Sequence, residues 1–139
     1  AGAFAGHVLS SETGVLAARR LGLAAPVAHC VGERTRAMAT ASGYGPGVTG
    51  RDADDLVAAL LARRAAGPLL HLHGQDTRGD IAVRLTAGGL PTTALAVYEM
   101  QPAPLPPEAR ALLDGTAPVA IPVFSPRSAA LLVAAIGHA

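Results

Sequence analysis

Short apolar runs alternate with longer amphipathic stretches along the chain, and Gly, Pro or a small capping residue marks each change. Residues 8–10 (Val8-Leu9-Ser10) read as a strand, followed by Ser11 as the N-cap of a helix that carries Val15 and Leu16 and stops near Gly22. Residues 27–31 form the next predicted strand, Gly32 a turn and residues 33–42 a helix. Asp52 is placed to cap a third helix, Asp55 adds negative charge to its first turn, and Gly67-Pro68 stops it. Residues 69–72 read as a strand, 78–87 as a helix with Ile81 and Leu85 on one face, and 92–99 as a strand. Strands joined by helices in this way predict βα units on a parallel sheet, because each crossover must return the chain to the same edge.

The composition shifts after Glu99. Pro102, Pro104, Pro106 and Pro107 predict an extended linker that becomes helical only over residues 108–113. A further strand is expected over 119–124, with Pro122 inside it arguing for an edge or a bulge. Ser125-Pro126 then supplies an N-cap and a first-turn proline for a last helix. The expected organisation is an α/β chain: a flavodoxin-like parallel sheet lobe over 1–97, an interdomain linker over 98–106, and part of a second similar α/β lobe over 107–139.

Charge and composition narrow the function classes. The 139 residues are 50% hydrophobic and 15% charged, with mean hydropathy +0.37, which excludes intrinsic disorder. A formal charge of +1 and 3% aromatic residues lack the basic stripe and stacking rings of a nucleic-acid module. All 11 basic residues are arginine. The single cysteine, Cys30, points to a reducing, cytoplasmic location, and no apolar run has the length of a membrane span. The chain opens on Ala1 without an initiator methionine, and its abrupt ends suggest a fragment.

Most isolated motifs carry little chemistry. The cluster Gly43-Tyr44-Gly45-Pro46-Gly47 follows a helix instead of a strand, so it does not fit a dinucleotide loop. His71 and His73 share one face of a strand but have no third ligand in an obvious pattern, which favours a solvated or hydrogen-bonded pair over a metal site. Cys30 reads as an inert core thiol, and Arg78-Gly79-Asp80 as a chance match to an adhesion tripeptide. One device does repeat: a strand, a small polar residue, then a helix start, at Ser10-Ser11, Gly32-Glu33, Gly74-Gln75 and Ser125-Pro126. Free amides and the helix dipole make such starts anion sites, and ligands of open α/β sheets gather at the carboxyl ends of strands.

The ordered set Val31-Gly32-Glu33-Arg34-Thr35-Arg36-Ala37, Leu70-His71-Leu72-His73-Gly74, Arg78-Gly79-Asp80, Val97-Tyr98-Glu99 and Val123-Phe124-Ser125-Pro126-Arg127-Ser128-Ala129 resembles uroporphyrinogen-III synthase. The opening Leu9-Ser10-Ser11-Glu12-Thr13-Gly14-Val15 is similar to that family's first Thr/Ser-Ser-x-Asn segment, with Thr13 where Asn is usual. The resemblance covers the middle of the family's chain; the opening Thr-Arg-Pro turn and the closing Ile-Gly-x-Thr turn have no counterpart. It implies a cofactor-free, monomeric, cytoplasmic lyase of haem biosynthesis that closes the linear tetrapyrrole hydroxymethylbilane to uroporphyrinogen III with inversion of ring D and loss of water. It also implies two α/β lobes with the substrate between them. Tyr98 matches the linker tyrosine that donates to the departing hydroxyl. Ser11, Thr35, Ser125 and Ser128 match substrate-binding positions, to which Arg78 and Arg127 are added as carboxylate clamps. A small-molecule substrate is thus the expected partner, with no metal, nucleic acid or membrane. A non-catalytic two-lobe anion-binding or regulatory module, or a degenerate synthase domain, is the alternative reading.

Overall fold

A computed structural model describes residues 3–75, 80–99 and 104–137. Five strands are hydrogen-bonded in the order β3-β2-β1-β4-β5, every pair parallel. In chain order they are β1 (Gly6–Leu9), β2 (Val27–Val31), β3 (Thr49–Gly50), β4 (Leu69–Gly74) and β5 (Thr92–Tyr98). Between them run α1 (Glu12–Arg20), α2 (Glu33–Ala41), α3 (Ala53–Ala62) and α4 (Ile81–Ala87). The two-residue β3 was not predicted, since so short a stretch carries no period to read.

Alternation along the strands builds two apolar layers. Val8 and Leu69 face one side, where Leu56, Val57 and Leu60 of α3 and Ile81 and Leu85 of α4 cover them. Leu9, Ala28, Cys30, Leu70 and Leu72 face the other, beneath Val15 and Ala18 of α1 and Ala39 of α2. Both faces of a parallel sheet must be covered, which is why β1 and β4 are buried at nearly every residue, His7 and His71 included.

Helix ends follow local chemistry. The Ser11 side chain caps α1 by accepting from the Gly14 N–H at 3.1 Å, and Asp52 Oδ1 caps α3 through the Asp55 N–H at 2.8 Å. α3 ends earlier than Gly67: the turn is taken by Arg63 and Arg64, the latter at φ +48°. α4 starts at Ile81; the predicted start at Arg78 lies outside the described residues.

Two compact units are delimited, Ala1–Met100 and Gln101–Ala139. The second contains α5 (Pro107–Asp114) and α6 (Pro126–Ile136), neither of which buries a residue. The strand expected over 119–124 is not formed: this stretch has no ladder partner among the described residues. Pro122 removes an amide from it, and a strand without a neighbour has nothing to bond.

Candidate functional site at the carboxyl edge of the sheet

Because all strands are parallel, the segments after β1, β2 and β4 and the end of β5 lie at one edge of the sheet. The order of strands reverses between β1 and β4, the position where open α/β sheets bind ligands. Tyr98, the last residue of β5, is brought to this edge by an irregularity in register at His73/Gly74, which pairs Gly74 with Tyr98. The Gln75 N–H donates to the Tyr98 carbonyl at 3.0 Å. The phenol ring crosses Gly74 so closely that a Cβ there would lie 2.5 Å from the ring, so a side chain at position 74 would displace it. The Tyr98 hydroxyl is 3.0 Å from Ser11 Oγ. Residues 87 positions apart are thus joined at the start of α1.

The helix starts differ in what they leave open. Gly32, at φ +89°, precedes α2 and offers the first amides of α2 no side-chain cap. Arg34 reaches Glu12 at 3.2 Å and ties the starts of α2 and α1 together. Thr35 sits in that first turn with its side chain buried. At α6, Ser125 Oγ accepts from the Ser128 N–H at 3.0 Å and donates to Ser128 Oγ at 2.9 Å. Ser125, Arg127 and Ser128 are all exposed. Arg78 lies outside the described residues, so the structure joins Ser11 with Tyr98 and describes Ser125, Arg127 and Ser128 within the second unit alone.

His71 Nε2 and Ser10 Oγ are 3.2 Å apart, and burial, with the neighbouring His73 adding to it, lowers the His71 pKa to about 4, so the ring is neutral at pH 7. His73 Nδ1 lies 2.7 Å from the Gly74 carbonyl, to which it donates. A cavity of about 550 Å³ borders this pair, but its other walls are Ile81, Ala82, Val83, Ala94 and Asp80. Among the described residues no three His, Cys, Asp or Glu side chains could hold a metal ion. Burial raises the Cys30 thiol to about 11, far from the thiolate a nucleophile needs. No helix among the described residues is long and apolar enough to cross a membrane.

With this geometry in view, the family described as uroporphyrinogen-III synthase HemD matches over residues 3–139. The chain belongs to the uroporphyrinogen-III synthase family. The crystal structure of the uroporphyrinogen-III synthetase from Helicobacter pylori 26695 is similar in fold, with a TM-score of 0.59 at 13% identity over 80% of this chain. The match takes in 53% of that chain, so the present chain spans about half the length of its structural relative. Among curated proteins, none matches it.

The sequence pattern located the starts of α1, α2 and α6 but could not reveal that Ser11 and Tyr98 touch. The signal available was Gly74: a glycine ending an apolar strand marks a close approach, here by the tyrosine ring.

Proposed function

We propose that the protein containing this chain acts in tetrapyrrole biosynthesis, closing hydroxymethylbilane to uroporphyrinogen III with inversion of ring D. The observation that carries this reading is the Tyr98 hydroxyl at the strand-order reversal, 3.0 Å from the start of α1, in a chain of this family. In this reading the lobe expected over residues 1–97 extends through Tyr98 at the end of β5, and the linker and part of a second lobe follow it.

The chemistry asks for little from side chains. The Tyr98 O–H donates to the hydroxyl of the substrate, which leaves as water with the electron pair of the C–O bond. The cation left on ring A gives its pyrrole N–H proton to solvent to form the neutral azafulvene, and the Tyr98 phenolate takes a proton back from solvent, so the net change is the loss of one water. Ring D attacks at its substituted carbon, and the resulting spiro intermediate rearranges before closure. The protein's task is to hold a polycarboxylate in one fold, which is catalysis by positioning and preorganised electrostatics. The uncapped amides at the start of α2 suit carboxylates, as does the positive end of its dipole. Thr35, Ser125, Ser128, Arg78 and Arg127 complete the proposed binding set. The Ser128 amide is engaged by Ser125 within the free protein, so its role needs that cap to yield.

The test is isomer analysis after incubation of the intact protein with hydroxymethylbilane. Ring-inverted product above the spontaneous background is expected, and Tyr98→Phe should lower its turnover with KM nearly unchanged, since only a contact of the departing group is removed. Binding of the substrate with uninverted product alone would replace this reading with a non-catalytic anion-binding one.

A further inference from the structure

We propose that Ser11 is a positioning residue for Tyr98: its hydroxyl donates into the phenol oxygen and leaves the phenol proton free for the departing group. The inference rests on the proposed role of Tyr98 and assigns the Ser11 side chain a different task from a substrate ligand.

A serine hydroxyl has one proton to give and two lone pairs. At Ser11 one lone pair accepts the Gly14 N–H at 3.1 Å, which caps α1. Its second neighbour is the Tyr98 oxygen at 3.0 Å. Only two arrangements of the protons satisfy that contact. If Tyr98 donates to Ser11, the phenol proton is consumed and the serine proton is left over. If Ser11 donates to Tyr98, the bonds run in one direction, from the Gly14 amide to the serine oxygen and from the serine proton to the phenol oxygen.

Two physical arguments select the second arrangement. Bonds aligned in series polarise one another, so a serine oxygen accepting an amide proton is the better donor onward. The positive end of the α1 dipole lies at Ser11, and it favours proton density directed away from the helix. The same alignment serves the reaction. As the phenol oxygen gives up its proton it gathers negative charge, and the Ser11 hydroxyl already points at it with the helix start behind.

The rest of the site holds the pair in place. Tyr98 cannot slide along the sheet edge, because its carbonyl is bonded to the Gln75 amide and its ring lies across Gly74. Ser11 cannot turn away without uncapping α1.

The experiment compares Ser11→Ala, Ser11→Thr and Ser11→Asp in the intact protein, each with and without Tyr98→Phe. Aspartate still caps the helix, but its carboxylate has no proton to give at neutral pH and takes up the phenol's instead. With hydroxymethylbilane as substrate, Ser11→Ala and Ser11→Asp should each lower kcat roughly ten-fold with little change in KM. Ser11→Thr should restore it, and neither loss should add to that of Tyr98→Phe. A Ser11→Asp variant as active as the unaltered protein would make Ser11 a cap only, and a rise in KM without loss of kcat would make it a substrate ligand; either overturns the proposal. Should the unaltered protein fail to invert ring D, the proposed function falls, and proton NMR of the free protein decides this inference separately. A protected Ser11 hydroxyl proton with a cross-peak to the Tyr98 ring supports it. A protected Tyr98 hydroxyl proton, or neither one protected, overturns it.

Discussion

Two six-residue stretches, Leu69–Gly74 in β4 and residues 119–124 in the second unit, end in different surroundings. β4 lies between β1 and β5, and Leu69 and Leu72 are wholly buried under helices on its two faces. In 119–124 the alternating Val119, Ile121 and Val123 stay exposed, Phe124 is 93% exposed, and no ladder forms. The helices follow suit: α3 buries Leu56, Val57 and Leu60, whereas the equally apolar α6 buries nothing. Apolar sequence is therefore only an offer of burial, which becomes stability when neighbouring strands take the backbone bonds and a helix covers each face.

That contrast is broken most severely by cutting into the two runs in turn. Leu72→Ala removes a fully buried side chain between covered strands and should cost about 2–5 kcal/mol in chemical denaturation followed by circular dichroism. Ile121→Ala, at a position 41% exposed, should change stability by less than about 0.5 kcal/mol. Comparable losses from both would mean that residues 119–124 are buried in solution.

Acid sharpens the comparison through histidine. His7, His29 and His71 are buried in the first unit, and burial lowers the pKa of each. His29 is also fixed as a neutral acceptor, because its Nδ1 takes the Val48 N–H at 3.0 Å. With the folded pKa below the unfolded 6.5, the unfolded chain binds more protons as the pH drops, so stability is complete above about 6.5 and declines below it. For His71 the decline continues to about pH 4 and amounts to about 3 kcal/mol. Denaturation midpoints between pH 7 and pH 4 should fall for the unaltered protein and fall less steeply in His71→Gln, where His7 and His29 still titrate. An unchanged slope in that variant would place the acid sensitivity elsewhere.

How far these features were legible in the sequence depends on their range along the chain. β2 is observed at the predicted bounds, and the caps Ser11, Asp52 and Ser125 stand where expected, because each depends on residues a few positions away. The contacts Ser10 to His71 and Ser11 to Tyr98 span 61 and 87 residues, and no local pattern encodes which strands become neighbours. Residues 119–124 failed as a strand for the same reason: alternation specifies a face, but a partner must come from elsewhere in the chain. At the site, the helix starts were readable one by one. That α2 is open while α1 and α6 are capped was not, since it depends on the Gly32 backbone and on where each serine turns.

The smallest effect sharpens the contrast most cleanly, because it applies one chemical change to both units. Asp52 and Ser125 are both N-caps in extended conformation, each accepting the amide three residues on, at 2.8 Å and 3.0 Å. Replacing either by alanine leaves that amide without its side-chain partner, at a local cost of about 1 kcal/mol. The difference lies in what each helix carries. α3 inserts Leu56, Val57 and Leu60 into the core, so fraying its start loosens packing that the whole first unit shares. α6 has no buried residue through which its loss could be transmitted. Asp52→Ala should therefore lower the main denaturation transition by about 1 kcal/mol, while Ser125→Ala leaves that transition in place. The Ser125→Ala change should instead appear in amide hydrogen exchange, as faster exchange at residues 127–129 alone. If Ser125→Ala moves the main transition as far as Asp52→Ala does, the helix of the second unit is coupled to the core of the first, and exposure is the wrong measure of its part in stability.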